Sequence, residues 1–157
     1  CPGMMVGPEV EATALVRHCV RMFNAGANLT TPLFSAVVRK AYGLGAQAMC
    51  GAGALVGFFT VAWPTAEFAG MNIEGAVKLG YRRELMAIED PEERAKEFQE
   101  RVDRAYESAK AVNAAAGGGL DDVIDPAETR SWAAESLKRL PPTPERREKK
   151  YPFVDTW

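Results

Sequence analysis

The chain has 157 residues, with 19 Lys+Arg against 21 Asp+Glu and a formal net charge of −2. Hydrophobic residues make up 47%, charged residues 25% and aromatics 9%. That composition excludes a disordered, collagen-like or coiled-coil chain, and at this length one domain buries roughly 70% of its unfolded surface. Cys1, Cys19 and Cys50 form no C-x-x-C pair and no run of histidines accompanies them, which argues against a disulfide framework or zinc ribbon and fits a reducing compartment. The first residue is Cys1, not Met, and it opens into the loop signal Pro2-Gly3 with no signal-peptide segment before it, so the N-terminus is read as a cut.

The charge is unevenly spread. Residues 1–66 carry only Glu9, Glu11, Arg17, Arg21, Arg39 and Lys40, and residues 41–66 carry none. That uncharged run exceeds the ~20 residues a membrane helix needs. Gly43, Gly45, Gly51, Gly53 and Gly57 crowd into it and Pro64 closes it, and each glycine costs roughly 1 kcal/mol inside a helix. It reads instead as a glycine turn, a short buried helix, a second glycine turn and a strand, with no membrane insertion. From Lys138 onward the tail has six basic and three acidic side chains, but Pro141, Pro142 and Pro144 break it and no aromatic residues interleave with its cations. No nucleic-acid partner is expected.

In chain order, Pro8 starts a helix over Glu9–Phe23, with Leu15, Cys19, Met22 and Phe23 on one face. Pro32 opens a strand over Leu33–Val38. Residues 39–45 read as a turn leading into a helix near Ala46–Cys50, and Phe58–Ala62 reads as a second strand. One helix is predicted over Ile73–Ile88. Asp90-Pro91-Glu92-Glu93 reads as a capping box with Pro at the first helical position, and Ala95, Phe98, Val102, Ala105, Tyr106, Ala109 and Val112 form one continuous stripe. Glu92/Lys96, Glu97/Arg101 and Glu100/Arg104 are i,i+4 pairs of favourable polarity. After Gly117-Gly118-Gly119 come a short extended piece, Val123-Ile124, and a second capping box, Asp125-Pro126-Ala127-Glu128, for a helix to about Leu140. Strands separated by helices predict an α/β fold with parallel strands, helical crossovers and a helix-rich C-terminal part. Two strands alone leave edges and faces uncovered, so partner strands are expected upstream.

His18, the only histidine, sits mid-helix with no acid or Ser placed to make a triad. The pairs Glu92-Glu93 and Asp121-Asp122 fall at caps and turns and read as structural. One segment is different: a buried strand ends at Arg39-Lys40, turns through Gly43-Leu44-Gly45 and opens a helix. Glycine lets a ligand approach the backbone, and the free N–H groups of a helix start stabilise anions such as an enolate or thioester oxyanion. A tight strand–helix turn with no ligand explains the same residues equally well.

Val37-Val38-Arg39-Lys40-Ala41-Tyr42-Gly43 with Met49 resembles the biotin-dependent carboxyltransferases, the β subunits of acetyl-CoA and propionyl-CoA carboxylases. That family commonly reads R-K-A-Y-G-G-A-Y-D-V-M where this chain reads R-K-A-Y-G-L-G-A-Q-A-M. Further blocks match in order: Pro2-Gly3 with Gly7 and Glu11, Ala62–Glu67, Glu74–Val77, Tyr81–Leu85, Asp121–Pro126 and Thr129-Arg130. The resemblance implies a partial crotonase-like fold over residues 1–140, the last part of the second of two such halves, truncated at its N-terminal side, with 141–157 a proline-rich basic tail.

It also implies a mechanism. Carboxybiotin on a carrier protein gives up CO2, the biotin ureido anion removes the α-proton of an acyl-CoA thioester, and the enolate captures the CO2. By this resemblance the backbone N–H groups of Leu44 and Gly45 form the oxyanion hole for the biotin ureido oxygen. Gly43 and Gln47 bind substrate, with Gln47 at the family's acyl-selectivity position, often Asp or Ile. No metal is implied. The implied partners are acyl-CoA, a biotin carboxyl carrier protein, a biotin carboxylase subunit and further copies of the chain, with an active site between subunits of a hexamer. The implied location is the cytoplasm or the mitochondrial matrix. A biotin-dependent decarboxylase, another crotonase-fold CoA enzyme and a non-catalytic helical docking module are the alternatives.

Overall fold

A computed structural model describes residues 1–51, 53, 57–142 and 145. Its elements in chain order are α1 (Pro8–Glu11), α2 (Leu15–Ala27), β1 (Phe34–Val37), β2 (Lys40–Tyr42), α3 (Gly43–Met49), β3 (Phe59–Ala62) and β4 (Glu67–Ala69). Then follow α4 (Ile73–Gly80), α5 (Arg82–Ala87), α6 (Pro91–Ser108), α7 (Ala111–Ala116), β5 (Asp122–Val123), a 3-10 turn at Pro126–Glu128 and α8 (Thr129–Lys138). Residues 52 and 54–56, within the second glycine turn expected from the sequence, and most of the proline-rich tail lie outside the described residues.

The chain alternates between two sheets. β1, β3 and β5 form one in the order β1-β3-β5, and β2 pairs with β4 in the other; every named pairing is parallel. Each parallel return passes through a helix, as parallel pairing requires. The expectation of two strands is therefore corrected to five among the described residues, with β5 overlapping the extended piece expected at Val123-Ile124. β2 and β4 have three residues each and β5 has two, too short for an alternating pattern to register in the sequence.

β3 is the centre of the larger sheet, and all four of its residues are buried. Phe59, Val61 and Ile124 form one core cluster with Phe34, Trp63 and Trp132 packed against it. The Trp63 indole N–H donates to Thr129 Oγ1 at 2.9 Å, tying the end of β3 to the start of α8. Asp121 holds the next strand in place: its N–H donates to Thr60 O and its Oδ2 accepts from the Thr60 N–H (2.9 and 2.7 Å). A second cluster, Tyr42, Ile73, Val77, Val102 and Ala109, packs β2 against α4 and α6.

Three predicted helices are broken. The first is interrupted at Ala14, whose φ of 60° is left-handed, and runs on to Ala27. On α2, Leu15, Cys19 and Phe23 are half-buried but Met22 is 49% exposed, and His18 is exposed. The second divides at Tyr81 into α4 and α5. The third ends at Ser108 because the backbone turns away to bond with β4 and the residue before it: Phe68 N–H donates to Ala109 O (2.7 Å) and Ala111 N–H to Ala66 O (3.0 Å). Val112, expected on the stripe, is consequently 57% exposed.

The caps differ in completeness. Asp125 and Glu128 make both bonds of a capping box. At Asp90 the side chain accepts from Glu92 N–H (3.0 Å), and no return bond from Glu93 is present among the described residues. Of the expected ion pairs, Glu97–Arg101 forms at 2.6 Å; Lys96 lies 4.0 Å from Glu100, and Arg104 lies 3.8 Å from Glu97.

Candidate functional site

The site is built at the join of β2 and α3. Ala41 and Tyr42 sit between two parallel neighbours. On one side β4 pairs Tyr42 with Ala69. On the other, the Cys1 nitrogen donates to Lys40 O (2.5 Å) and Tyr42 N–H donates to Cys1 O (3.0 Å), the alternation of a parallel ladder. The chain then enters α3 at once through Gly43, whose φ is 58° and where a Cβ would lie 2.7 Å from Gly70 O. Only glycine meets both conditions without strain.

The turn expected over residues 39–45 is therefore corrected: Lys40–Tyr42 is strand, and the helix starts at Gly43 rather than near Ala46. Leu44 and Gly45 fall in its first turn, where N–H groups have no intrahelical acceptor. Tyr42 precedes the helix in extended conformation, and no side chain caps it among the described residues. Gly45 is pressed against the Cys1–Met4 segment, since a Cβ there would lie 2.9 Å from Cys1 Sγ and 3.3 Å from both Gly3 C and Met4 N. The Leu44 side chain points away from the core and is 55% exposed.

Gly43 and Gln47 come together on the wall of one cavity of about 390 Å³ between α3 and the two sheets; Leu44 and Gly45 are not on that wall. Gln47 is exposed, while Ala46, Cys50, Val37 and Phe68 complete the apolar part. A neighbouring cavity of about 400 Å³ shares Ala46 and Cys50 and is lined also by Cys1, Arg39 and Lys40. Sequence reasoning missed Cys50, Phe68 and the Cys1–Met4 contact, because each depends on pairing between segments and leaves no local spacing signal.

Behind the join, on the opposite face of β2, sits a polar cluster. The Tyr42 phenol, 1% exposed as a residue, donates to Glu67 Oε2 at 2.6 Å. Burial, reinforced by the bond to Glu67, pushes that phenol above its ordinary range. The Tyr106 phenol donates to Glu74 Oε1 at 2.6 Å; that bond raises the phenol and holds the Glu74 carboxyl below the usual carboxylate value. Lys40 Nζ lies 5.6 Å from the centre of the Tyr42 ring. Asp121 and Asp122 accept backbone hydrogen bonds from Thr60 and Val123, which are structural roles.

The carboxyl transferase domain family matches residues 1–151. The chain is 39% identical over 141 residues to the methylmalonyl-CoA carboxyltransferase 12S subunit of Propionibacterium freudenreichii subsp. shermanii, covering 87% of this chain and 26% of that one. Among solved structures, a single-chain, multi-domain long-chain acyl-CoA carboxylase superposes with a TM-score of 0.74 at 50% identity, over 85% of this chain and 13% of that one. A transcarboxylase 12S structure, a hexamer with methylmalonyl-CoA and methylmalonic acid bound, superposes with a TM-score of 0.75 at 33% identity, over 97% and 29%. The chain thus spans about a quarter of the curated relative's length. The α/β architecture of parallel strands and helices is that of carboxyltransferases of the crotonase-like fold. With the family match over nearly its whole length and the R-K-A-Y-G block placed at the β2–α3 join, the chain belongs to the carboxyl transferase domain family.

Proposed function

We propose that this chain contributes one wall of an acyl-CoA carboxyltransferase site, with the β2–α3 join as its oxyanion hole. The observation that carries the reading is the start of α3, whose first turn holds Leu44 and Gly45 and has no side-chain cap among the described residues. Two backbone donors in one helical turn suit an oxygen that gains negative charge during reaction, because fixed dipoles need no reorganisation at that moment. They suit the biotin ureido oxygen, which is neutral at rest and becomes charged on transfer. Carboxybiotin, when bound, supplies the CO2 and the base for the α-proton.

The residues of this chain have three tasks in that reading. Leu44 and Gly45 donate to the ureido oxygen. Gly43, on the cavity wall, meets the substrate through its backbone. Gln47, on the cavity it shares with Gly43, faces the acyl part of the thioester. The Cys1–Met4 segment supports Gly45 from behind. A biotin carboxyl carrier protein, a biotin carboxylase subunit and further copies of the chain are the partners this chemistry requires.

The test is transfer of labelled carboxyl from a carboxylated biotin carrier to an acyl-CoA by the native protein. Label appearing at the α-carbon supports the reading. Enoyl-CoA hydration or isomerisation without carboxyl transfer contradicts it and moves the chain to another CoA chemistry of the same fold.

A further inference from the structure

The path of the chain from α4 through α5 into α6 leaves an open, largely apolar trough of about 680 Å³ between these helices. Leu79 and Met86 stand on its wall 65% and 66% exposed. Leu85, which is buried, and Phe98, which is half-buried, line it too, and Phe98 ties it to the core around Val77 and Val102. Exposed apolar side chains gathered in one place and rimmed by charge mark an interaction surface.

The charge around the trough has one sign. Lys78, Arg82 and Arg94 line it, and no Asp or Glu does. Arg94 is fixed by backbone carbonyls: its Nε and Nη2 donate to Ile88 O at 3.0 and 2.6 Å, and Nη2 also to Glu89 O at 3.3 Å. Those bonds hold the guanidinium in place without a carboxylate to compensate its charge. Lys78 and Arg82 have no carboxylate within ion-pair distance among the described residues. The other cations of α6 differ: Lys96, Arg101 and Arg104 each lie within 4.0 Å of a Glu oxygen. The helix thus pairs its cations elsewhere and leaves unpaired the one on the trough.

We propose that the trough between α4–α5 and α6 docks an acidic amphipathic helix of a partner polypeptide. Its apolar side chains cover Leu79 and Met86, and its Asp or Glu side chains meet Lys78, Arg82 and Arg94. No strand lines the trough, so strand addition has no edge to use, and a helix laid against helices is the mode that fits. Met86 is unbranched and adapts to the side chain set against it. The three cations fix the sign of the partner, since like charges brought together there are penalised.

The experiment measures binding of a fluorescent helix-forming peptide to the native protein by anisotropy. The peptide carries Leu at i, i+3, i+4 and i+7 and Glu on both flanks, and a second peptide has Lys in place of every Glu. The Glu peptide is expected to bind about tenfold or more tightly than the Lys peptide, and less tightly as salt is raised. Met86→Asp and Arg82→Glu, both at exposed positions, each weaken the Glu peptide by about tenfold or more. Arg82→Glu also narrows the preference for the Glu over the Lys peptide, a change that a folding defect does not produce. No binding of either peptide, equal binding of the two, or binding unaffected by Met86→Asp overturns the proposal. Self-association of the protein that Met86→Asp abolishes, with no peptide bound, assigns the trough to a second copy and overturns it as well.

Discussion

The Tyr42 hydroxyl donates a 2.6 Å hydrogen bond to Glu67 Oε2, joining β2 to β4 one residue before the glycine that opens α3. In the register of the two strands Lys40 lies opposite Glu67, so the phenol reaches diagonally across the ladder on one face of the sheet. That face packs on α4 and α6, while Ala41, pointing the other way, lines the cavity. One strand thus separates the clamp from the site.

Tyr42→Phe keeps the ring in the core and removes the donor. A hydrogen bond to a charged group contributes about 1.5–3 kcal/mol, so the variant loses about 2 kcal/mol of stability in urea unfolding. Glu67→Gln keeps an acceptor and loses less. Equal losses for the two variants contradict the clamp.

The phenols and Glu74 set opposite limbs of the stability profile. Tyr42 and Tyr106 have raised pKa values, so their contribution is fully present below the ordinary tyrosine value of about 10 and is lost as pH rises through the raised ones. Glu74 is depressed, chiefly by the bond from Tyr106, so its contribution is present above about 4.3 and is lost as pH falls through the depressed value. Urea midpoints measured from pH 3 to 11 are expected to decline at both ends. Glu74→Gln flattens the acid limb and Tyr42→Phe the alkaline one; an acid limb unchanged by Glu74→Gln contradicts the assignment.

Ala14 has a left-handed backbone, which costs an alanine roughly 1–2 kcal/mol. Ala14→Gly therefore raises stability by about 1 kcal/mol, seen as a higher thermal midpoint. A lower midpoint means that α1 and α2 run on as one helix.

Much of the fold was legible where local signals and tertiary contacts agree. Asp90-Pro91 marks the start of α6, and the central stripe residues Val102 and Ala109 are buried as their spacing predicts. What was missed lies where tertiary contacts override local preference. Alanine at position 14 is the best helix former and gives no sign of a break. The end of α6 is imposed by the backbone bonds that Ala109 accepts from Phe68 and Ala111 donates to Ala66, which no helical period foretells. At the candidate site, the glycines and the family block pointed to the join. The wall made by Phe68 and Cys50 follows only from β2 lying beside β4 under α3.

Gln47 is exposed on the wall it shares with Gly43. Gln47→Ile replaces a polar amide by a branched apolar side chain, and a pocket change of this kind shifts discrimination by roughly 1–3 kcal/mol. The ratio of kcat/KM for short against longer acyl-CoAs is expected to change by about tenfold or more. An unchanged ratio places Gln47 outside the acyl pocket.

The most direct test of the oxyanion hole separates the Gly45 N–H from the space around it. Gly45→Ala adds a Cβ against Cys1 and Gly3 but keeps the donor. Gly45→Pro adds a Cβ at the same place and removes the donor, in a first helical turn where proline is tolerated. With circular dichroism and oligomeric state measured beside the kinetics, the single decisive quantity is kcat for transfer from carboxybiotin in Gly45→Pro relative to Gly45→Ala. The account predicts a ratio lower by about 10²–10³, the usual loss on removing one oxyanion donor. Equal kcat values in two folded proteins would contradict it and place the hole elsewhere.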